Sequence, residues 1–305
     1  MDNNQCFYKK RFLTLFVLLA LFAHIKSSTA HDLLFPVTEW GKARMALPQS
    51  ASHLESLFQV SDENFEPIVA FSSQSPFRII APSVGRLEIK ARDQFGRIGV
   101  EVCTASLISR DLALTNNHCI PGTGELSLLE AQLRMGYLSD RDQPGNTYSV
   151  SLIPVESNAT LDYSIIKVYG IPADKYGLIA LGPKTILPKE DLFIIHHPLG
   201  KPLQLTRKDC RAVSWEADNI NNINHRCDTI DGSSGAPIFS LITRKMVGIH
   251  FQGGMGTTQD SYNSGKRLDK IIERSPALRN LLRQQSQTMV LPDTHLRRKC
   301  SGGRC

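Results

Sequence analysis

Three short segments carry residue types that together can run a proton-relay reaction. They are Leu114-Thr115-Asn116-Asn117-His118-Cys119, Leu161-Asp162-Tyr163-Ser164-Ile165-Ile166, and Asp231-Gly232-Ser233-Ser234-Gly235-Ala236-Pro237. In chain order they offer an imidazole, a carboxylate and a hydroxyl. A serine hydroxyl is a weak nucleophile at neutral pH and needs a base within hydrogen-bond reach to attack a carbonyl. Imidazole titrates close to working pH, so His118 is suited to take the Ser234 proton and later return it to a leaving amine. Asp162 on the other ring nitrogen would fix the tautomer and stabilise the imidazolium. Gly-Ser turns and His-Cys pairs are common singly; the combination in this order is not.

The segments must be held by strands. From Ile79 onward the chain is built of short runs rich in branched and apolar residues, broken by turn clusters: Gly85-Arg86-Leu87-Glu88-Ile89, Ala105-Ser106-Leu107-Ile108, Leu192-Phe193-Ile194-Ile195 and Lys245-Met246-Val247-Gly248-Ile249 among them. This spacing reads as all-β, a sandwich or a barrel. Leu268 to Arg283 instead places apolar residues near helical spacing, interrupted by Pro276, and predicts a C-terminal helix. Residues 31–78 show no strand rhythm and read as a propeptide or N-terminal extension. Residues 284–305 read as a tail.

At 305 residues, 41% hydrophobic and 21% charged, the composition is that of an ordinary globular protein. Lys9, Lys10 and Arg11 precede an apolar run from Phe12 to Ala23, and Ser28-Thr29-Ala30 supplies small residues around a cut after Ala30. That is the pattern of a secretory signal peptide over residues 1–30, an uncleaved membrane anchor being the alternative. With the signal removed, no stable membrane span is expected and the product is secreted, to an extracellular or periplasmic space. The formal charge of +6 is partly carried by that leader, and what remains is too small to argue for nucleic acid. Of the 7 cysteines, Cys6 leaves with the signal. Cys103, Cys119, Cys210, Cys227, Cys300 and Cys305 remain, an even set that fits disulfides in an oxidising compartment. A zinc site is disfavoured because no paired C-x-x-C or H-E-x-x-H occurs, and neither metal nor cofactor is expected.

The three segments together resemble the chymotrypsin-like serine peptidases, within them the glutamyl-endopeptidase and bacterial trypsin-like branch. The resemblance implies two six-stranded antiparallel barrels, about 79–170 and 182–265 within a peptidase domain of 79–283, with the active site between them. It implies protein or peptide substrates, hydrolysed through an acyl-enzyme by His118, Asp162 and Ser234. The backbone N–H groups of Gly232 and Ser234 would form the oxyanion hole. We expect the disulfides Cys103–Cys119, Cys210–Cys227 and Cys300–Cys305. Ser234 rather than Ser233 matches the family nucleophile, because Gly, a small residue and Pro follow it. Digestive members carry an aspartate where Ser233 stands, pairing with the new N-terminus after zymogen cleavage. Ser233 cannot make that ion pair, although Arg78-Ile79-Ile80 resembles a processing site.

Thr229 and His250 match the pair with which glutamyl endopeptidases bond an acidic substrate side chain. Asp228 stands where trypsin-like enzymes carry the aspartate that attracts Lys or Arg, and would repel an acidic side chain if it faced the pocket. His196-His197-Pro198-Leu199-Gly200 resembles a turn near the substrate cleft of bacterial members and reads as structural rather than metal-binding. Asn158-Ala159-Thr160 is an N-glycosylation pattern. A non-catalytic homologue that binds protein ligands, and an esterase using the same triad, are the competing readings. The oligomeric state is not legible.

Overall fold

The computed structural model describes residues 35–48, 64–141, 145–213, 220–255 and 261–290. Two short strands come from the N-terminal segment, β1 (Phe35–Pro36) and β2 (Glu66–Pro67), followed by a one-turn helix α1 (Pro76–Ile80). The first β unit then runs through β3 (Val84–Arg92), β4 (Ile98–Leu107), β5 (Leu112–Thr115), β6 (Ser127–Met135), β7 (Asn146–Val150), β8 (Glu156–Asn158) and β9 (Tyr163–Lys167). A short helix α2 (Ala173–Tyr176) leads to the second unit: β10 (Leu192–His196), β11 (Gln204–Thr206), β12 (Asn222–His225), β13 (Pro237–Ser240), β14 (Met246–Met255) and β15 (Tyr262–Arg267). Helices α3 (Leu268–Arg274) and α4 (Pro276–Val290) follow.

The chain is therefore mostly β, in two antiparallel sheets. One has the order β7-β6-β3-β4-β5-β9-β8 with β1 beside β4; the other is β12-β15-β14-β13-β10-β11-β2. A bridge between Val150 and Val168 draws the end of β7 to the end of β9, and Ala212 pairs with His225 of β12 just after β11, so each sheet curls on itself. The sheets have eight and seven strands rather than six each: the N-terminal segment adds one strand to each, and the first unit itself contributes seven, β3 to β9. The first unit begins at Val84 rather than Ile79, since Pro76 starts a helical turn that carries Arg78-Ile79-Ile80.

The continuous apolar runs in the sequence are explained by burial on both strand faces. Successive side chains of a strand point to opposite faces. In β10, Leu192 and Ile194 fill the second unit's interior with Ile223, Ile238 and Val247, while Phe193 and Ile195 face the layer shared with the first unit. In β5 and β9, Ala113 and Ile166 turn into the first interior with Leu87, Leu107 and Leu133, while Leu114 and Ile165 turn outward to meet Phe193, Phe239 and Ile249. That shared apolar layer holds the two halves together and fixes the crevice between them.

The C-terminal helix is present, broken where expected. The Ser275 Oγ accepts the Leu278 N–H at 3.0 Å and Pro276 opens the next helix, an N-cap with proline at the first turn. Leu268, Ile271 and Leu278 join the shared layer. Helix α4 continues to Val290, past the expected boundary at Arg283.

Two of the expected disulfides are formed, Cys103–Cys119 and Cys210–Cys227. The pair Cys300–Cys305 lies outside the described residues, as do the leader and the last part of the tail. No helix among the described residues is long and apolar enough to cross a membrane.

Candidate active site

His118 lies three residues after the end of β5, and three features hold it. Cys119 is tied to Cys103 on β4. The Asn116 Nδ2 donates to the Asp162 carbonyl at 2.8 Å. The His118 backbone N–H donates to Asp162 Oδ1 at 2.9 Å, while its Nδ1 lies 2.7 Å from Asp162 Oδ2. One carboxylate thus fixes both the backbone and the ring of the same histidine. Asp162 has φ +41°, the left-handed region that costs an L-residue free energy and is best tolerated by Asp and Asn. The preceding turn stabilises that geometry: Asn158 Oδ1 accepts the Leu161 N–H at 2.8 Å and Ala159 O accepts the Asp162 N–H at 3.3 Å.

Ser234 sits on the turn before β13, 4% exposed. Its carbonyl accepts the Thr104 N–H at 2.7 Å, and the next residue's N–H donates to His250 O at 2.9 Å. The Ser234 turn is therefore stitched to β4 of the first unit and β14 of the second. Gly235 has φ +82°, and a Cβ there would run into Thr104 O and Thr115 Oγ1 and come within 3.3 Å of Asn116 N. The serine turn packs against the same chain end that delivers His118.

The backbone before Ser234 has a defined turn type. The Ser233 N–H donates to Ile230 O at 3.0 Å, closing a four-residue turn whose third residue, Gly232, has φ +90°. Positive φ at that position makes it type II, in which the Asp231–Gly232 peptide is flipped relative to type I. Neighbours hold the flip. The Thr104 Oγ1 donates to Gly232 O at 2.8 Å, and Asp231 O accepts the Leu199 N–H at 2.6 Å. A Cβ on Gly232 would lie 2.5 Å from His197 O, so only glycine fits.

The candidate specificity residues differ in their surroundings. Thr229 Oγ1 is shielded from solvent and has no hydrogen-bond partner among the described residues; it lies 3.7 Å from where a Cβ on Gly253 would be. His250 is buried on β14, and its Nδ1 is 3.4 Å from His225 Nε2. Burial, then the neighbouring His225, hold the His250 pKa well below the ordinary histidine value. Asp228 is half-buried, which raises its pKa, and its carboxylate accepts a short hydrogen bond from Asn64 Nδ2. Asn64 belongs to the N-terminal segment, so that carboxylate is engaged by the chain itself.

The histidine pair at the end of β10 is engaged by groups of the fold. His196 Nδ1 lies 2.8 Å from Ser233 Oγ and its Nε2 lies 3.0 Å from Thr206 Oγ1. His197 Nδ1 lies 2.9 Å from Lys201 O, and its ring stacks on Tyr137. Metal-ligating atoms of Cys103, His118 and Cys119 approach one another within 4.8 Å, but both thiols are consumed in the disulfide.

Three groups escape notice in the sequence. Thr104 bonds the nucleophile turn yet is an ordinary strand threonine by pattern. Arg86, Glu88 and Arg134 form a buried ion cluster, with Arg86 Nη2 and Arg134 Nε at 2.7 and 2.8 Å from Glu88 Oε1; alternating charges on a strand would usually be read as a solvated face. Lys266 of β15 lines the crevice beside His118 and Asp162, and no motif surrounds it.

Residues 103–249 match the family model of the trypsin-like peptidase domain, a span that includes His118, Asp162 and Ser234. A secreted RxLR effector protein from Plasmopara viticola, numbered 73, is 26% identical over 170 residues, covering 51% of this chain. The chain spans 42% of that relative's length. Among solved structures, a Glu endopeptidase superposes with TM-score 0.51 and 18% identity over 68% of this chain and 93% of its own. A serine endoprotease from Yersinia pestis superposes with TM-score 0.50 and 17% identity over 70% and 68%. Residues 103–249 thus match a trypsin-like peptidase domain, and the described chain has the chymotrypsin-like fold.

Proposed function

We propose that the chain is a secreted serine endopeptidase in which Ser234 attacks the scissile carbonyl, His118 moves the proton and Asp162 holds the imidazole. The observation that carries this reading is the pair of hydrogen bonds from one histidine to one carboxylate, His118 N and Nδ1 to the two Asp162 oxygens, at 2.9 and 2.7 Å. A carboxylate so placed selects the tautomer with the proton on Nδ1, leaving Nε2 to act as the base toward Ser234. The tetrahedral oxyanion would be met by the N–H groups of Gly232 and Ser234, for which the type II turn supplies the peptide orientation. Collapse releases the amine with the proton from His118, and a water repeats the sequence on the acyl-enzyme.

Glu or Asp before the cut is the preferred specificity. Thr229 Oγ1 is a shielded hydroxyl that lacks a partner and would gain one from a substrate carboxylate, and leaving it unfilled costs free energy. His250 on β14 supplies a second polar atom. Asp228, already bonded to Asn64, is less available as a base for Lys or Arg. Export is supported by the leader pattern, the two disulfides and the secreted relative. The test is a fluorophosphonate probe on the mature chain, with mass-spectrometric mapping of cleaved peptides. Labelling that disappears in Ser234→Ala, with Glu or Asp before the cuts, supports the proposal. No labelling at any stage of processing makes the chain a binding homologue, and a Lys or Arg bias makes Asp228 the pocket base.

A further inference from the structure

A cavity of about 510 Å³ opens beside His118 and Asp162, and His118, Asp162, Ala159, Phe251, Gln252 and Lys266 line it. Lys266 is the group the proposed chemistry does not use. Its Nζ donates to Asn222 Oδ1 at 3.1 Å and lies 4.2 Å from the centre of the Phe251 ring. Neither partner carries a negative charge. Asp162 faces the same space but is committed through both oxygens to His118, and Glu125 stands exposed at the rim. A half-buried ammonium without a carboxylate partner is costly unless something anionic completes it; burial indeed lowers the Lys266 pKa, with Asp162 opposing the shift.

We infer that this cavity is a second specificity pocket, in which Lys266 binds an acidic side chain of the peptide substrate at the position neighbouring the one that enters the Thr229 pocket. Successive side chains of an extended peptide point to opposite sides. A substrate strand lying along Phe251 to Gly253 would pass both Lys266, which sits on the Phe251 ring, and Thr229, which lies beside Gly253. The cation–π contact with Phe251 and the Asn222 bond hold the ammonium in place without neutralising it. The preferred substrate is thus an acidic peptide stretch rather than a single acidic residue.

The inference rests on the proposed peptidase reading, and the test separates the two. Two fluorogenic peptides carry the same residue before the cut and differ only in Glu or Gln at the position before that. Wild type should cleave the Glu peptide at least about tenfold faster in kcat/KM, the size of one charged hydrogen bond. In Lys266→Met the ratio should fall to about one while the Gln peptide keeps its rate, and Lys266→Glu should reverse the preference. A ratio near one in wild type overturns the inference without any variant. So does Lys266→Met slowing both peptides equally, which would place Lys266 in support of the triad. If neither peptide is cleaved and no fluorophosphonate label appears, the peptidase reading fails. Calorimetric binding of the same two peptides to Ser234→Ala then decides the pocket: tighter binding of the Glu peptide supports it, and equal binding overturns it.

Discussion

The His196 imidazole lies 2.8 Å from the hydroxyl of Ser233, with both side chains fully out of solvent. This contact occupies the residue before Ser234, where the resembled digestive enzymes carry an aspartate. Burial pushes the His196 pKa down to about 3, so the ring stays uncharged at any ordinary working pH. The Ser233–His196–Thr206 line therefore holds the nucleophile turn by neutral hydrogen bonds.

The acid sensitivity follows from the same burial. His196, His197 and His225 all have pKa values depressed to about 3 by desolvation. A histidine whose folded pKa lies below its unfolded value binds fewer protons folded than unfolded between the two. Its contribution is fully present above the unfolded pKa, near 6.5, and is lost as pH falls toward about 3. The urea midpoint should therefore decline steadily from pH 7 down to pH 4. Replacing His225 by Gln, which cannot charge, should flatten that decline; an unchanged slope would mean that the histidines are not buried neutral.

Gly232 tests the oxyanion turn. With φ +90° and His197 O 2.5 Å from the place of a Cβ, alanine cannot occupy the position without shifting the Asp231–Gly232 peptide. Gly232→Ala should cost between about a hundredfold and a thousandfold in kcat, the loss typical of one oxyanion donor, with KM nearly unchanged. Gly235→Ala puts a Cβ against the Thr104 carbonyl and the Thr115 hydroxyl, so both variants should lower the melting temperature, Gly235→Ala by more. A Gly232→Ala chain with wild-type kcat would remove the oxyanion assignment.

Asp162 is tested by a change of one atom. Asp162→Asn retains one oxygen for His118 N or Nδ1 but not both, and its amide favours the wrong ring tautomer. The expected result is a drop in kcat of about ten-thousandfold with the fold intact, and loss of fluorophosphonate labelling on the same scale. The loss should shrink at high pH only if the histidine alone limits the reaction. A loss below tenfold would leave Asp162 a structural cap on the β5 turn.

The pairing of His118 with Asp162 was legible in the sequence as two short segments in order, and the Gly-x-Ser-Gly turn as one whose glycines take φ > 0. The all-β fold was legible in short apolar runs between turns, and disulfides in the even cysteine set, but an even count does not say which cysteines pair; the Cys103–Cys119 and Cys210–Cys227 links come from the fold. What escaped is relational. Lys266 looks like a strand lysine until Phe251 and Asp162 are placed beside it. Arg86 and Glu88, two apart in β3, look like a wet face until Gly41, Lys42 and Ala43 cover them. Residues 31–78 showed no strand rhythm because β1 and β2 are two residues long and borrow their order from β4 and β11.

That borrowed order bears on whether the N-terminal segment is a propeptide or a lasting part of the fold. Arg86 donates to Lys42 O at 2.5 Å and Ala43 O at 2.6 Å, while Arg134 donates to Gly41 O at 2.5 Å. Burial alone would raise the Glu88 pKa; Arg86 and Arg134 outweigh it and hold the carboxyl below its usual value. Arg86 also donates to Gly200 O, and the Gly200 backbone N is 3.3 Å from where a Gly232 Cβ would sit. Stripping the segment removes acceptors from a buried guanidinium, each charged hydrogen bond being worth about 1.5–3 kcal/mol. It also loosens the floor of the oxyanion turn. A chain beginning at Ile79 should melt well below the longer chain and label more slowly with a fluorophosphonate. Faster labelling after trimming would instead make the segment an inhibitory propeptide that leaves before the enzyme works.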